Sequence, residues 1–96
     1  MKKTYLLNVK NKTPERQVDL IKYEVKKYIA RERRKELPDD VDYWDFDCKI
    51  GDNEEVAATI HLSEINKMIS KILAINNESF YLEILARPAK RMKRTK

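Results

Sequence analysis

The sequence predicts an α+β domain of the ferredoxin-like type, in which four antiparallel strands form one sheet and two helices cover one of its faces. Three observations support this prediction. Four segments alternate apolar and polar residues with the period of a strand, and two segments repeat apolar residues at the spacing of a helix. Along the chain these segments follow the order βαββαβ. In that arrangement the first and third strands occupy the centre of the sheet.

The first strand and the first helix lie on either side of a short polar loop. Residues 4–9 alternate, with Tyr5, Leu7 and Val9 on one side. Thr13 then suits a helix N-cap and Pro14 the first helical position. A helical apolar stripe follows, and its members are Val18, Ile21, Val25, Tyr28 and Ile29. Leu37 precedes Pro38 and is expected to end the helix, because a residue before proline avoids the helical conformation.

A β-hairpin is predicted over residues 43–60. One face of its first strand carries Trp44, Phe46, Cys48 and Ile50, and one face of its second strand carries Val56, Ala58 and Ile60. A register that keeps both sets on one face pairs Ile50 with Glu54, Cys48 with Val56, Phe46 with Ala58 and Trp44 with Ile60. Gly51-Asp52-Asn53 would then form a three-residue loop with Asn53 in the left-handed conformation.

The second helix and the last strand complete the domain. Ser63-Glu64 suits a helix start, and the helix should stop at Asn76-Asn77. Its apolar stripe is Ile65, Met68, Ile69, Ile72 and Ile75. Residues 80–86 read as a strand, and Pro88 is expected to interrupt it. We therefore predict a single domain over residues 1–86 and a basic, disordered tail over residues 87–96.

Composition excludes several classes of function. The chain has 96 residues, of which 42% are hydrophobic and 39% charged, values typical of one soluble domain. One glycine cannot supply a Walker loop or a dinucleotide fingerprint, and one cysteine with one histidine cannot build a structural zinc site. No cofactor is therefore expected. No apolar run approaches the ~20 residues of a membrane span, so we expect a cytoplasmic protein without a membrane partner.

Polar residues of the predicted sheet do not suggest a catalytic or metal site. Cys48 is expected to face the core, whereas Asp45 and Asp47 point to the opposite face, because successive side chains of a strand alternate. The thiol and the carboxylates therefore cannot share an ion, even with His61 nearby. Glu83 and the other carboxylates on the open face are expected to be solvated, and a flat sheet offers no pocket to desolvate them for acid–base chemistry. We predict that the protein is not an enzyme.

Basic residues are concentrated at two places. Arg31, Arg33, Arg34 and Lys35 close the first helix, and the last ten residues contain Arg87, Lys90, Arg91, Lys93, Arg94 and Lys96. Cations stabilise a helix C-terminus by about 0.3–1 kcal/mol each without any partner. A mobile tail gains no structure from its cations, whereas a phosphate backbone attracts each of them. These residues predict binding of RNA or another polyanion without sequence preference.

A protein interface is the alternative interpretation of the same charges. Residues 39–55 contain eight acids and one cation. Such an acidic segment could meet a basic surface on a protein partner, including the tail of another copy. The sequence leaves both interpretations open.

Three sequence blocks resemble those of a known family. They are the segment from Arg31 to Lys35 with Leu37-Pro38, Val41-Asp42 with the more specific segment from Trp44 to Cys48, and the segment from Glu83 to Pro88. Over nearly its whole length the chain resembles a family of small bacterial proteins classed only as a domain of unknown function. The resemblance implies one compact bacterial domain, and it brings no substrate, cofactor or catalytic residue with it.

Overall fold

A computed structural model describes residues 1–91. In chain order its elements are β1 (Lys2–Leu6), α1 (Pro14–Arg33), β2 (Tyr43–Gly51), β3 (Ala58–Ile60), a 3-10 helix (Leu62–Glu64), α2 (Ile65–Ala74) and β4 (Ser79–Ala89). The predicted order of strands and helices is confirmed, and the chain belongs to the α+β class. The strands form one four-stranded sheet in which every neighbouring pair is antiparallel.

The order of strands in the sheet is β1-β4-β2-β3. This order differs from the ferredoxin-like arrangement, which would place β1 and β3 at the centre. Here those two strands lie at the edges, and β4 separates the parallel strands β1 and β2. The sequence contains a physical reason, because Phe80 to Leu85 is an almost continuous apolar run, as expected of a strand buried on both faces. β1 begins with Lys2 and Lys3, and lysines are typical of an edge strand.

The core lies between the helices and one face of the sheet. β2 contributes Phe46, Cys48 and Ile50 to it, as the alternation predicted. Tyr5 of β1 stacks against Phe80 of β4 with ring centroids 5.5 Å apart. The helices contribute the buried residues Val18, Ile21, Val25, Ile65, Ile69 and Ile72.

The start of α1 agrees with the prediction, and its end does not. Thr13 is the N-cap, and its hydroxyl accepts a hydrogen bond from the Arg16 amide at 3.3 Å. The helix ends at Arg33, four residues before the predicted stop at Leu37. It ends early because the Arg34 and Lys35 amides bond the carbonyls of Arg31 and Glu32, which tightens the last turn.

The register of the β2–β3 hairpin differs from the prediction. Cys48 pairs with Ile60 and Ile50 with Ala58, so residues 52–57 form a longer connection. Ala58 and Ile60 keep their predicted face because the shift moves the register by an even number of positions. Val56, predicted to oppose Cys48, is 60% exposed in the connection. The Asn53 side chain accepts a hydrogen bond from the Val56 amide at 3.1 Å, which stabilises this turn without a left-handed residue.

The caps of α2 differ at its start and agree at its end. The His61 ring, not Ser63, accepts the amide hydrogen bond that opens the 3-10 helix before α2. At the other end Asn76 has a φ of 59°, and the amides of Asn76 and Asn77 bond carbonyls of the last turn. This left-handed cap confirms the predicted stop.

β4 continues through Pro88 to Ala89, so the predicted interruption is wrong. Trp44 pairs with Pro88 and Tyr43 with Ala89. β1 pairs with β4 only as far as Glu83, and β4 is therefore an edge strand at Pro88. Proline is tolerated there because its missing N–H faces no neighbouring strand.

Candidate nucleic-acid interface

The second half of α1 and the two residues that follow it are strongly basic. Residues 22–35 contain seven cations and two acids. The helix is 20 residues long, and the rise per residue gives a length of about 30 Å. Its positive charge is therefore concentrated toward the C-terminal end, where it also complements the helix dipole.

Trp44 fixes the position of that helix end. Its indole Nε1 donates a hydrogen bond of 2.9 Å to the Lys35 carbonyl just beyond the helix. Trp44 is also the strand partner of Pro88. The end of α1 and the end of β4 therefore lie at the same end of the molecule.

The chain beyond β4 is held close to this point. The Asp42 amide donates to the Ala89 carbonyl at 2.9 Å, and the Arg91 amide donates to the Asp42 carboxylate at 2.8 Å. The side chains of Lys90 and Arg91 are exposed. Two basic segments that the sequence separates by more than fifty residues thus meet in space. We call this surface the basic end and define it as Arg31, Arg33, Arg34, Lys35, Lys90 and Arg91.

The cations of the basic end have different contacts. The Arg31 guanidinium lies over the Tyr28 ring at 5.7 Å, and that of Arg33 over the Phe46 ring at 5.6 Å. These contacts hold the guanidinium groups in place and leave their charge uncompensated. Lys35 differs, because it forms an ion pair of 2.6 Å with Glu32. The hydrogen bond from Lys35 lowers the pKa of Glu32 below its usual value.

Acidic residues border one side of the basic end. The loop between α1 and β2 contains Glu36, Asp39, Asp40 and Asp42. The carboxylate of Asp42 accepts its hydrogen bond from the backbone amide of Arg91. This bond does not involve the guanidinium of Arg91 and so does not neutralise its charge. A polyanion would therefore approach from the α1 side, where cations outnumber acids.

Arg87 does not belong to the basic end. It lies within β4 and not in a tail, on the sheet face opposite the helices. Its guanidinium donates to Asp47 at 2.9 Å and to Asp45 at 2.9 Å. The hydrogen bond from Arg87 to Asp47 raises the pKa of the guanidinium further above its usual value. Two carboxylates thus compensate the charge that the sequence suggested was available to phosphates. Lys93, Arg94 and Lys96, the remaining predicted contacts, lie outside the described residues.

Two cations that the sequence analysis did not select lie close to the predicted ones. Lys22 and Lys26 line a groove between α1 and the start of α2, together with Arg33. A positional signal for them was present, because residues at positions 22, 26 and 33 share one face of a helix.

Comparison with known proteins adds a family assignment. A protein-family model described as "Family of unknown function (DUF6172)" matches residues 1–95 of the sequence. The chain belongs to this family. No curated protein and no solved structure matches the chain.

The open face of the sheet in this DUF6172 chain is not uniformly solvated. Glu83 was expected to be solvated, but it is only 9% exposed, and Tyr81 on the same face is also buried. Because β4 is a central strand, both residues have cross-strand neighbours on two sides, Thr4 and Gly51 for Tyr81 and Lys2 and Lys49 for Glu83. The Tyr81 hydroxyl donates to the Glu83 carboxylate at 2.8 Å, and burial together with this bond raises the pKa of Tyr81 to about 12.

The polar residues weighed as metal ligands are separated in this family member as strand alternation predicted. Cys48 is buried on the helix side, and Asp45 and Asp47 bind Arg87 on the other side. The His61 ring contacts the Ser63 hydroxyl at 2.8 Å in its capping role. Within residues 1–91 no group of three or more potential ligands converges on one point. No helix in that range is both long and apolar enough to cross a membrane.

Proposed function

We propose that this protein binds RNA without sequence preference through the basic end, and that its role is binding and not catalysis. The observation that supports the proposal is the meeting of two basic segments around Trp44. The hydrogen bond from Trp44 to Lys35 and the pairing of Trp44 with Pro88 are tertiary contacts that hold the end of α1 near the end of β4. Cations gathered on one surface attract a phosphate backbone, and binding gains free energy from the counterions released.

The sheet is a poor surface for the stacking mode of RNA recognition. That mode requires exposed aromatic residues on central strands. In this sheet the helices cover one face, and of the two aromatic residues that the central strands place on the other face, Tyr81 is buried and Tyr43 alone is exposed, at the end of β2. Asp45 and Asp47 also lie on that face. Binding is therefore electrostatic and dependent on shape, and it takes place at the basic end.

Fluorescence anisotropy with labelled single-stranded RNA, duplex RNA and duplex DNA tests the proposal. If the basic end contacts roughly 4–6 phosphates, the logarithm of the affinity falls against the logarithm of salt with a slope of about −3 to −5. The single tryptophan lies at this surface, so its fluorescence should also respond to RNA.

Two double variants separate a local interface from general charge attraction. Arg34→Ala with Lys90→Ala removes two exposed cations of the basic end, and it should weaken binding about five- to tenfold and flatten the salt slope by about two. Lys10→Ala with Lys12→Ala is the matched control. It removes the same charge before the start of α1, about 30 Å from the helix end, and should change the affinity less than twofold. Equal losses in the two variants would contradict the proposed interface, and no binding to any nucleic acid at low salt would end it.

The alternative of a protein interface built on residues 39–55 receives less support. The acids of that segment do not form one patch. Asp45 and Asp47 bind Arg87, and Asp52 accepts a hydrogen bond from Asn77. Asp42 and Asp52 flank opposite ends of β2, a strand of nine residues that spans about 30 Å. Salt-sensitive self-association in sedimentation velocity, together with no RNA binding, would favour this alternative.

A further inference from the structure

A groove lies between the two helices. Its volume is about 500 Å³, and the second half of α1 forms one wall. The 3-10 helix and the first turn of α2 form the other wall. Val25, Ile29 and Ile65 belong to the lining, so the floor is apolar.

The charged residues that line the groove are all positive. Lys22, Lys26 and Arg33 line the α1 wall, and no acid is present among the described residues that line the groove. Within residues 1–91 none of these three cations forms an ion pair. Lys22 donates a hydrogen bond of 2.8 Å to the Ser70 hydroxyl, a neutral partner that leaves its charge uncompensated. The opposite wall offers Ser63 and Asn66, which are polar and uncharged.

We propose that this groove binds a small organic anion with an apolar body, such as a carboxylate on an aliphatic chain or a sulfonate on an aromatic ring. The apolar body would lie on Val25, Ile29 and Ile65. The anionic group would receive hydrogen bonds from Lys26 and its neighbours along α1. This combination of an apolar floor and a few charged groups is typical of small-molecule sites, whose volumes are roughly 300–1,000 Å³.

The size of the groove favours a small ligand over a protein partner. A stable protein interface buries roughly 1,200–2,000 Å² in total, an extended surface and not a single depression. A cavity of about 500 Å³ matches one small molecule. The charge of the wall selects the sign of that molecule, because a cationic ligand would be repelled by three uncompensated charges. Arg33 belongs to both surfaces, but Lys22 and Lys26 line the groove and are not part of the basic end, so the inference does not depend on RNA binding.

The probe for this site is anilinonaphthalene sulfonate, a fluorescent anion with an aromatic body. We expect one molecule to bind per folded chain, with increased fluorescence. Laurate below its micelle concentration should displace the probe. Acetate lacks the apolar body and dodecyltrimethylammonium has the opposite charge, so neither should displace it at the same concentration.

Three variants locate the binding. Lys26→Met keeps the length of the side chain and removes its charge, and it should weaken probe binding about three- to tenfold. Ala30→Trp fills the groove without changing any charge, and it should abolish binding. Lys27→Met is the matched control, because Lys27 follows Lys26 directly but does not line the groove, and it should leave the probe affinity unchanged.

Three results would overturn the proposal. They are displacement of the probe by the cationic amphiphile as well as by laurate, equal effects of Lys26→Met and Lys27→Met, and full binding by Ala30→Trp. Circular dichroism of each variant shows whether it is folded. Loss of probe binding with intact RNA binding, or the reverse, separates this site from the basic end.

Discussion

Cys48 and Tyr81 show at the residue scale how burial changes the chemistry of a side chain. Burial raises the pKa of the Cys48 thiol to about 11, and the nearby carboxylates of Asp47 and Asp45 add to this increase. Burial and the hydrogen bond to Glu83 raise the pKa of the Tyr81 hydroxyl to about 12. Both groups therefore remain neutral in the fold at pH values where they ionise in the unfolded chain.

These shifts predict lower stability in alkali. Because the folded pKa values lie above the unfolded ones, their contribution is complete below about pH 9 and is lost as the pH rises through 9 to 12. The free energy of unfolding, measured by urea denaturation, should fall over this range, and Cys48 should contribute a slope of at most ~1.4 kcal/mol per pH unit. Cys48→Ala should reduce that slope between pH 9 and about 11. An unchanged slope would contradict the buried environment of the thiol.

Arg87 and Lys90 are three positions apart but differ in their surroundings. Two carboxylates hold Arg87, whereas Lys90 is exposed at the basic end. Arg87→Ala should therefore leave RNA affinity within twofold of the wild type and lower stability only slightly, because its ion pairs are exposed. Lys90→Ala should weaken RNA binding about threefold and leave stability unchanged. Anisotropy titration and urea denaturation of both variants measure these effects, and the reverse pattern would show that Arg87 contacts phosphate.

At the scale of an element, Gly51 sets the geometry at the end of β2. A Cβ atom at this position would lie 2.7 Å from the Ala57 Cα, where the connection to β3 passes close to the strand. The neighbour is backbone and cannot move aside without shifting the hairpin.

Gly51→Ala should therefore destabilise the protein by about 1–3 kcal/mol, the usual cost of overpacking. Glu55→Ala, an exposed change in the same connection, should remain within about 0.5 kcal/mol of the wild type. Urea denaturation gives both values. A neutral Gly51→Ala would indicate the shorter loop that the sequence predicted, in which the chain does not pass over Gly51.

At the scale of the whole molecule, the strand order makes a prediction about amide protection. β4 lies between β1 and β2, and its residues Leu82 and Ile84 are fully buried. Their amides should exchange with solvent most slowly, through global unfolding, while those of the edge strand β3 exchange through local opening. Hydrogen exchange followed by NMR measures this. Slower exchange in β1 and β3 than in β4 would instead indicate the ferredoxin-like order.

The length of β4 makes a second prediction, about truncation. Deletion of residues 90–96 leaves every β2–β4 pair in place, so the melting temperature should change little. Deletion of residues 87–96 also removes the partners of Asp45, Trp44 and Tyr43, and it should lower the melting temperature clearly. Equal melting temperatures for the two truncations would place the end of the domain at residue 86, as the sequence suggested.

The sequence by itself determined the order of elements, the N-cap at Thr13, the stop at Asn76 and the inward face of β2. These features depend on neighbours within a few positions, where periodicity and capping chemistry act. Tertiary structure decided which strands are central, the register of the hairpin, the ion pairs of Arg87 and the placing of Lys35 and Lys90 at the same end of the molecule. Signals for the strand order were present in the apolar run from Phe80 to Leu85 and in the lysines of β1. The other features depend on contacts between residues that are distant in the chain. The alternation of apolar and polar residues in a strand indicates only which face of the sheet each side chain occupies. Tertiary packing decides which strand lies beside another.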